Sequence, residues 1–398
     1  MNFKINTNPS LLWLFSLFVL CIVLVYPPFV FFQFMNESFR IVVFASVLII
    51  LFVIQINSPI KRNKFSKILF LWFCAIVYFF SSILINGLEG ARTSIGYVLI
   101  LFFGILLFSI FQSEKNNKLY KFTFNLYIVL FSIVPIFCIC NFILNLITPS
   151  INILTPYFSY FTYNYSASPF GLSIPKSFLG INFTRNFFFF IEPVYLAFFY
   201  LLNVFIVGKH ISKYSRIFIY LNIFGGFLTA SFFFFFGYLI LKFINISILK
   251  KATIILVLVF LSFFYYNTVN DFFSESSSEE RFSRIELGIV ILKNYNFEKL
   301  LFGTGYLFDH EVSKGFSSGF LTSFIEGGII GLLIPLLIAI LFCQRKSQLI
   351  LVVILSLILF EPYKMPFFWY VIVIVGNLNL EDNNIAPKNN HNFVLEYE

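Results

Sequence analysis

Residues 94–111 read S-I-G-Y-V-L-I-L-F-F-G-I-L-L-F-S-I-F, eighteen residues without a charged side chain. A helix needs about 20 mostly apolar residues to cross the hydrocarbon core of a bilayer. The stretch is uniformly apolar, whereas a strand of a membrane barrel alternates between apolar and polar residues. Residues 94–111 therefore predict a membrane-spanning helix, and the rest of the chain repeats this pattern.

Composition gives the same fold class for the whole chain. Charged residues make up 11% of it and hydrophobic residues 59%, whereas soluble domains carry about 25% charged residues. This excludes a soluble enzyme, a disordered protein and a disulfide scaffold. We predict an all-α, polytopic membrane protein with about twelve spans. They lie near 11–34, 40–56, 68–85, 94–111, 122–147, 187–207, 215–228, 230–248, 252–269, 317–343, 347–360 and 366–378. Gly225–Gly226 followed by Leu-Thr-Ala-Ser predicts a tight hairpin between the seventh and eighth of these spans, where one long helix is the alternative.

The distribution of Lys and Arg predicts the orientation. With the N-terminus inside, the short inner connections hold 15 basic residues, and the short outer ones hold Arg40, Arg92 and Lys364. Because cytoplasmic loops are enriched in Lys and Arg, both termini are predicted to be cytoplasmic. The net charge of +9 then reflects insertion into the membrane, and it requires no nucleic acid partner.

Two predicted outer loops are long, and the domain organisation follows from them. Residues 1–378 form one membrane domain with outer loops at about 148–186 and 270–316, and a polar, disordered cytoplasmic tail covers 379–398. The first loop is rich in Tyr, which is typical either of an aromatic belt at the membrane interface or of sugar stacking. The second contains F-S-R-I-E-L-G-I-V-I-L at 282–292, which predicts an amphipathic helix on the membrane surface.

Ionisable residues near membrane depth are candidates for function. Arg185 and Glu192 are seven residues apart and would share one helix face. Glu192 precedes Pro193, close to a predicted helix N-terminus, where negative charge is favoured. The alternative is an interfacial arginine and a helix-capping glutamate.

The second long loop carries further candidates. Arg281 and Arg284 are three apart, so they would project from one helix face and could bind phosphate oxygens in pairs. The alternative is a solvated face with local Arg–Glu pairs. Gly303 and Gly305 permit a sharp turn or a close approach to a ligand. His310 could accept a proton near neutral pH, or it is a surface histidine.

Glu326 lies about two turns into the tenth predicted span, within I-E-G-G-I-I-G at 325–331. A carboxylate at this depth needs a partner or water, and Arg92 or Arg185 could supply the charge. The glycines around it permit helices to approach closely. The five cysteines lie in or beside apolar stretches without the spacing of metal ligands, so no metal site is predicted.

In order, these groups resemble the O-antigen polymerase (Wzy) and O-antigen ligase superfamily of bacterial envelope polysaccharide enzymes. The resemblance covers about 180–335 and consists of five motifs. They are Arg185 with Glu192–Pro193, L-T-A-S at 228–231, Arg281 with Arg284, Gly303-Thr-Gly305, and the Glu-Gly-Gly within I-E-G-G-I-I-G at 325–331. It implies a GT-C-like helical membrane enzyme in the bacterial inner membrane, with two periplasmic loops.

Three positions depart from the family pattern. Phe187–Phe190 stands where the family often has Gly, and Phe232 stands where an Arg usually follows the hairpin Ser. In ligases, a His-Asn-x-x-Leu pattern begins about nine residues before the glutamate of the last motif. The corresponding position in this chain is Ser317. This last departure favours a polymerase over a ligase.

The resemblance implies an inverting, metal-independent and cofactor-free glycosyltransferase. Its partners would be a glycan donor and acceptor on undecaprenyl pyrophosphate, with a chain-length regulator and a flippase as associated proteins. Arg185, Arg281 and Arg284, together with Gly303, Gly305 and Glu326, are assigned to the pyrophosphate and substrate site. Glu192 and His310 are the candidate catalytic groups. A ligase, a capsule or exopolysaccharide polymerase and, more distantly, a polysaccharide flippase remain alternatives.

Overall fold

A computed structural model of the protein describes residues 9–26, 29, 36–57, 62–147, 166–178, 181–186, 188–190, 193–211, 215–244, 286–303, 319–344, 346–359 and 364–378. Some segments within these ranges, such as 81–95, are described by their backbone alone. The predicted span at 252–269 and the predicted tail at 379–398 lie outside the described residues.

Most of the described chain is helical. The helices are α1 (Pro9–Leu24), α2 (Glu37–Ile56), α3 (Arg62–Phe111), α4 (Asn117–Ile147), α5 (Pro193–Phe205), α6 (Ser215–Leu228), α7 (Phe232–Ile244), α8 (Phe297–Phe302), α9 (Gly319–Phe342), α10 (Ser347–Leu359) and α11 (Pro366–Gly376). Residues 286–293 are also helical, and short 3₁₀ helices cover Glu114–Asn116 and Val207–His210.

Four helical stretches are long and apolar enough to cross a membrane: Ser38–Ile56, Asn117–Ile147, Pro193–His210 and Leu321–Phe342. Seven shorter apolar helices accompany them in the described chain. The expected helical, apolar fold is confirmed at this level. The finer prediction of about twelve spans stays a prediction.

Helix α3 contains both the third and the fourth predicted spans in 50 consecutive helical residues. If straight, it would extend about 75 Å. Instead, the Nζ atom of Lys67 lies 5.0 Å from the centre of the Phe108 ring, and the ring centres of Trp72 and Phe102 are 5.1 Å apart. The two arms of α3 therefore pack antiparallel, and the chain reverses between them, as two separate spans require.

Proline sets two boundaries that differ from the predicted spans. Helix α1 ends at Leu24, although the apolar run continues to residue 34, because the residue before a proline disfavours helical backbone and Pro27 and Pro28 follow. Helix α5 begins at Pro193 rather than at residue 187. Proline is suited to the first helical position, where its missing N–H group costs no hydrogen bond.

The helix ends sort into two groups, because consecutive helices run in opposite directions. At the first, which we call the basic end, Lys67 donates to the carbonyl of Leu341 at 2.6 Å and Lys346 to that of Val375 at 2.7 Å. Lys209 also lies there and donates to Gln348. The opposite end, which we call the sheet end, carries the β-strands and the hairpin between α6 and α7.

A three-stranded antiparallel sheet lies in the first long loop, which corrects the prediction of an all-α fold. Its strands are β1 (Ser166–Ser168), β2 (Gly171–Phe178) and β3 (Ile181–Asn186), hydrogen-bonded in the order β1-β2-β3. In the register of the last pair, Ile174 lies opposite Arg185. The Tyr-rich residues 148–165 of this loop lie outside the described chain.

Two amide side chains at the end of α4, the buried Asn141 and the partly buried Asn145, hold this sheet against the helices. Asn141 accepts a 2.6 Å hydrogen bond from the Ser168 hydroxyl, and its amide donates to the carbonyl of Leu172. One turn later, Asn145 donates to Ser173 and to Asn186. Because a buried amide without a partner is costly, these bonds fix the position of the sheet on α4.

The core of the bundle is aromatic and is built around α5 and α11, whose residues are almost all buried. Phe367 of α11 lies 4.7 Å from Phe199 and 4.9 Å from Phe29 between ring centres. On outer helices, large apolar side chains remain exposed, such as Val42 and Ile49 of α2 at 63% and 65%. Since water-soluble surfaces rarely carry such contiguous apolar area, this pattern suits contact with lipid chains.

A hydrogen-bonded polar chain crosses the core between α4, α5 and α6. Tyr127 donates to Asn203 at 2.5 Å, and Asn203 donates to Asn222 at 2.8 Å. Asn222 in turn donates to the carbonyls of Phe131 and Phe218. Side-chain hydrogen bonds of this kind join helices in membranes, and neither asparagine was singled out from the sequence.

Candidate functional site

Three of the eight predicted site residues lie in the described chain, and all three are at the sheet end. They are Arg185 on β3, Gly303 at the end of α8 and Glu326 in α9. Glu192, Arg281, Arg284, Gly305 and His310 lie outside the described residues, so their predicted roles stay predictions.

Arg185 contacts the hairpin between α6 and α7. Its Nε donates to the carbonyl oxygen of Thr229 at 3.1 Å, and Thr229 belongs to the L-T-A-S stretch. The side chain is partly buried. This contact joins two of the sequence motifs and orients the guanidinium group, whose five N–H donors suit carboxylate or phosphate oxygens.

The hairpin itself is a tight, internally bonded turn. Thr229 is fully buried, and its hydroxyl donates to the carbonyl of Gly226 at 2.7 Å. Ala230 has a φ of 43°, which is uncommon for a residue other than glycine. The predicted hairpin is present, but Gly225 and Gly226 lie inside α6 and serve packing, because side chains there would collide with Tyr200 and Phe234.

The turn between β3 and α5 also contains strained backbone, which contacts with β2 hold in place. Phe188 has a φ of 50°, and its carbonyl accepts a 2.6 Å hydrogen bond from the Leu172 amide. Gly171 has a φ of 137°, and a Cβ there would lie 2.7 Å from the Cα of Phe188. Since strained backbone persists only where neighbours enforce it, the sheet fixes the path by which the chain enters α5.

Helix α9 is broken at Gly328, where φ is 61° and ψ is −160°. The sequence predicted one span here, and the structure divides it into two helical halves, with Glu326 near the end of the first. The end of α8 fills the break. A Cβ at Gly303 would overlap the Glu326 carbonyl, and one at Gly328 would overlap the backbone of Leu301 and Phe302.

Lys364 is a cation paired with Glu326, whereas the sequence suggested Arg92 or Arg185. The side chain of Arg92 lies outside the described part of the chain. The Nζ of Lys364 lies 2.5 Å from Oε2 of Glu326, and each side chain is 12% exposed. The same Nζ lies 5.1 Å from the centre of the Tyr97 ring, within the range of a cation–π contact. The pair connects α9 to the segment before α11.

A side-chain hydrogen bond also reaches the break in α9 from the loop that carries α8. The Tyr295 hydroxyl donates to the carbonyl of Ile325 at 3.2 Å, next to Glu326. A small cavity of about 10 Å³ lies nearby, lined by Tyr78, Tyr97, Leu101, Pro335 and Trp369. This volume holds about one water molecule, so the cavity is too small for a sugar or a phosphate.

The partly buried charged side chains described at the sheet end are mostly cations. Among the described residues there, Arg40, Arg185 and Lys364 are half-buried cations, and Glu326 is the half-buried carboxylate, which leaves a net charge of +2. The described part of the chain brings no three His, Cys, Asp or Glu side chains together as a potential metal site.

No protein-family model matches this chain, and no curated protein matches it.

Proposed function

We propose that the chain is a polysaccharide polymerase that joins oligosaccharide repeat units carried on undecaprenyl pyrophosphate. It would act at the outer face of the bacterial inner membrane, with both termini cytoplasmic. The growing glycan would leave its pyrophosphate carrier and attach, with inversion, to the terminal sugar of a new carrier-linked unit.

The observation that carries this proposal is the pairing of sequence motifs at one end of the bundle. Arg185 contacts Thr229 of the L-T-A-S stretch. Gly303 of the Gly-x-Gly packs on Glu326 of the Glu-Gly-Gly stretch. Four motifs that are separated along the chain thus meet in two contacts at the sheet end, which is the end that the Lys and Arg distribution predicts to be outside.

The chemistry needs cations at the departing pyrophosphate and a base near the acceptor hydroxyl. Arg185, Arg281 and Arg284 are proposed to bind the pyrophosphate. Glu192 or His310 is proposed to accept the proton. The polyprenyl chain would lie among apolar side chains, which a protein with 62 Phe residues supplies in abundance.

The test is reconstitution of the purified protein with lipid-linked repeat units, without metal or nucleotide sugar. We expect stepwise chain growth, seen as a ladder on a gel. We expect the Arg185→Ala variant to reduce the rate about 100-fold or more, the usual cost of losing one group that stabilises transition-state charge. Arg216→Ala is the matched control, because Arg216 is exposed and begins α6 at the basic end.

Three outcomes contradict the proposal or part of it. If the wild-type protein builds no chains, the polymerase assignment is wrong. If it transfers finished glycan to lipid A–core, the protein is a ligase. If Arg185→Ala, Arg281→Ala and Arg284→Ala all keep the full ladder, the assigned pyrophosphate contacts are wrong.

A further inference from the structure

Lys364 occupies an unusual position for a lysine. It lies in the connection between α10 and α11 at the sheet end, and its side chain is only 12% exposed. The Nζ of Lys364 donates a hydrogen bond to the Glu326 carboxylate and lies 5.1 Å from the centre of the Tyr97 ring. Ionisable side chains placed so close to membrane depth are rare and mark binding or transport sites by default.

Stability alone does not account for this ion pair. Removing two charges from water costs about as much as their attraction returns, so a well-packed apolar pair would hold the helices equally well. The break in α9 is already fixed by backbone packing between Gly303 and Gly328 and by the Tyr295 hydrogen bond. The pair is therefore not needed to hold the break in place.

Because Lys364 and Glu326 carry opposite charges, only one of the two suits direct contact with an anion. A carboxylate repels an anion, so Glu326 does not suit direct contact with a phosphate. Lysine, in contrast, binds phosphate as a compact point charge.

We propose that Lys364 is a pyrophosphate-binding residue of this site and that Glu326 is the positioning residue that holds its ammonium group in place. The inference rests on the proposed function for the identity of the ligand. A phosphate oxygen would compete with the Glu326 carboxylate for the three N–H donors of Lys364. Binding of the lipid-linked substrate would thus loosen the contact between α9 and the segment before α11.

The first measurement is binding of inorganic pyrophosphate to the detergent-purified full chain, with sulfate as the comparison anion. We expect Lys364→Gln to weaken binding about tenfold or more, as the loss of a charge-assisted hydrogen bond does. The exchange of charges, Lys364→Glu with Glu326→Lys, keeps an ion pair but moves the cation to α9. We expect it to preserve thermal stability and to lose pyrophosphate binding. Lys293→Gln is the control, since Lys293 is an exposed lysine at the same end.

The second measurement is the Michaelis constant for the lipid-linked unit in the chain-growth assay. We expect Lys364→Gln and the charge exchange to raise it, and Lys364→Arg to restore part of the loss. If Lys364→Gln and the charge exchange both keep the wild-type pyrophosphate binding and the wild-type Michaelis constant, Lys364 is a structural residue and the inference is wrong. The polymerase assignment stands in that case. If Lys364→Gln does not fold, the charge exchange and Lys364→Arg decide in the same way.

A wild-type protein that builds no chains would overturn the proposed function alone. In that case, pyrophosphate binding that depends on Lys364 still supports the anion site. If the wild-type and Lys364→Gln proteins bind pyrophosphate equally, or if neither binds it, the proposal of an anion site at Lys364 is wrong.

Discussion

Gly303 packs its Cα against the main chain of Glu326, so closely that any side chain at position 303 would overlap the Glu326 carbonyl. The contact is reciprocal, because Gly328 packs in the same way against Leu301 and Phe302. Each glycine also has a positive φ, 79° and 61°. Helix α8 is thereby fixed to the break in α9.

Replacing Gly303 with alanine therefore tests this contact. We expect Gly303→Ala to lower the free energy of unfolding by about 2 kcal/mol or more, because it adds left-handed backbone strain to a steric overlap. Thermal unfolding in detergent measures the effect. Gly327→Ala is the matched control, because a Cβ at Gly327 meets no atom within 4 Å.

Gly327→Ala should leave the melting temperature at or slightly above the wild-type value, since alanine favours helical backbone. Equal melting temperatures for Gly303→Ala and Gly327→Ala would show that α8 does not pack into the break.

The reversal inside α3 can be tested by cross-linking. In a variant without native cysteines, Trp72→Cys and Phe102→Cys should react with a short thiol cross-linker, because the two rings are 5.1 Å apart. In a straight helix the same positions would be about 45 Å apart. A protease site engineered between the two arms allows a linked product to be recognised on a gel.

Phe73→Cys paired with Phe102→Cys is the control, since Phe73 is 61% exposed, whereas the Trp72 ring packs on the Phe102 ring. Efficient linking of the control pair, or none of the Trp72 pair, would contradict the antiparallel arrangement.

The sequence predicted the features that depend on local composition. Uniform apolar runs predicted the helices, and the division of α3 into two arms agrees with the two separate stretches of the sequence. Gly225–Gly226 followed by Leu-Thr-Ala-Ser predicted the hairpin that Arg185 contacts, although the two glycines themselves lie inside α6. In each case the signal lay within about 20 neighbouring residues, the length over which bilayer thickness constrains a chain.

The features that the sequence did not predict depend on contacts between distant residues. Strands β1 to β3 carry no clear alternation, and Asn141 of α4 supplies the partner that holds β1. The ion pair of Glu326 spans 38 positions in the chain. The charge distribution identified Lys364 as one of three outer cations, but spacing alone does not say which cation reaches a given carboxylate.

The buried polar chain through Asn203 provides a further test of the helix packing. We expect Asn203→Ala to cost about 1–2 kcal/mol, because it removes the partner of the fully buried Tyr127 hydroxyl. Ser132→Ala is the control, since the Ser132 hydroxyl bonds to Ile128 of its own helix. Unfolding in denaturing detergent compares the variants.

The double variant Asn203→Ala with Asn222→Ala should cost less than the sum of the single variants, because each asparagine is the partner of the other. Costs that add within about 0.3 kcal/mol would show that the two amides do not interact.

The orientation predicted from Lys and Arg can be measured directly, because exposed residues are available at both ends of the bundle. Lys209 is exposed at the basic end, and Lys293 is exposed beside α8 at the sheet end. In a variant whose five cysteines are replaced, we expect Lys293→Cys to react with a membrane-impermeant maleimide in cells with an opened outer membrane. Lys209→Cys should react only after the inner membrane is permeabilised. The reverse pattern would place the sheet end in the cytoplasm, where a periplasmic polymerase site cannot be. Labelling of both positions from one side would instead show that the two ends do not lie on opposite faces of the membrane.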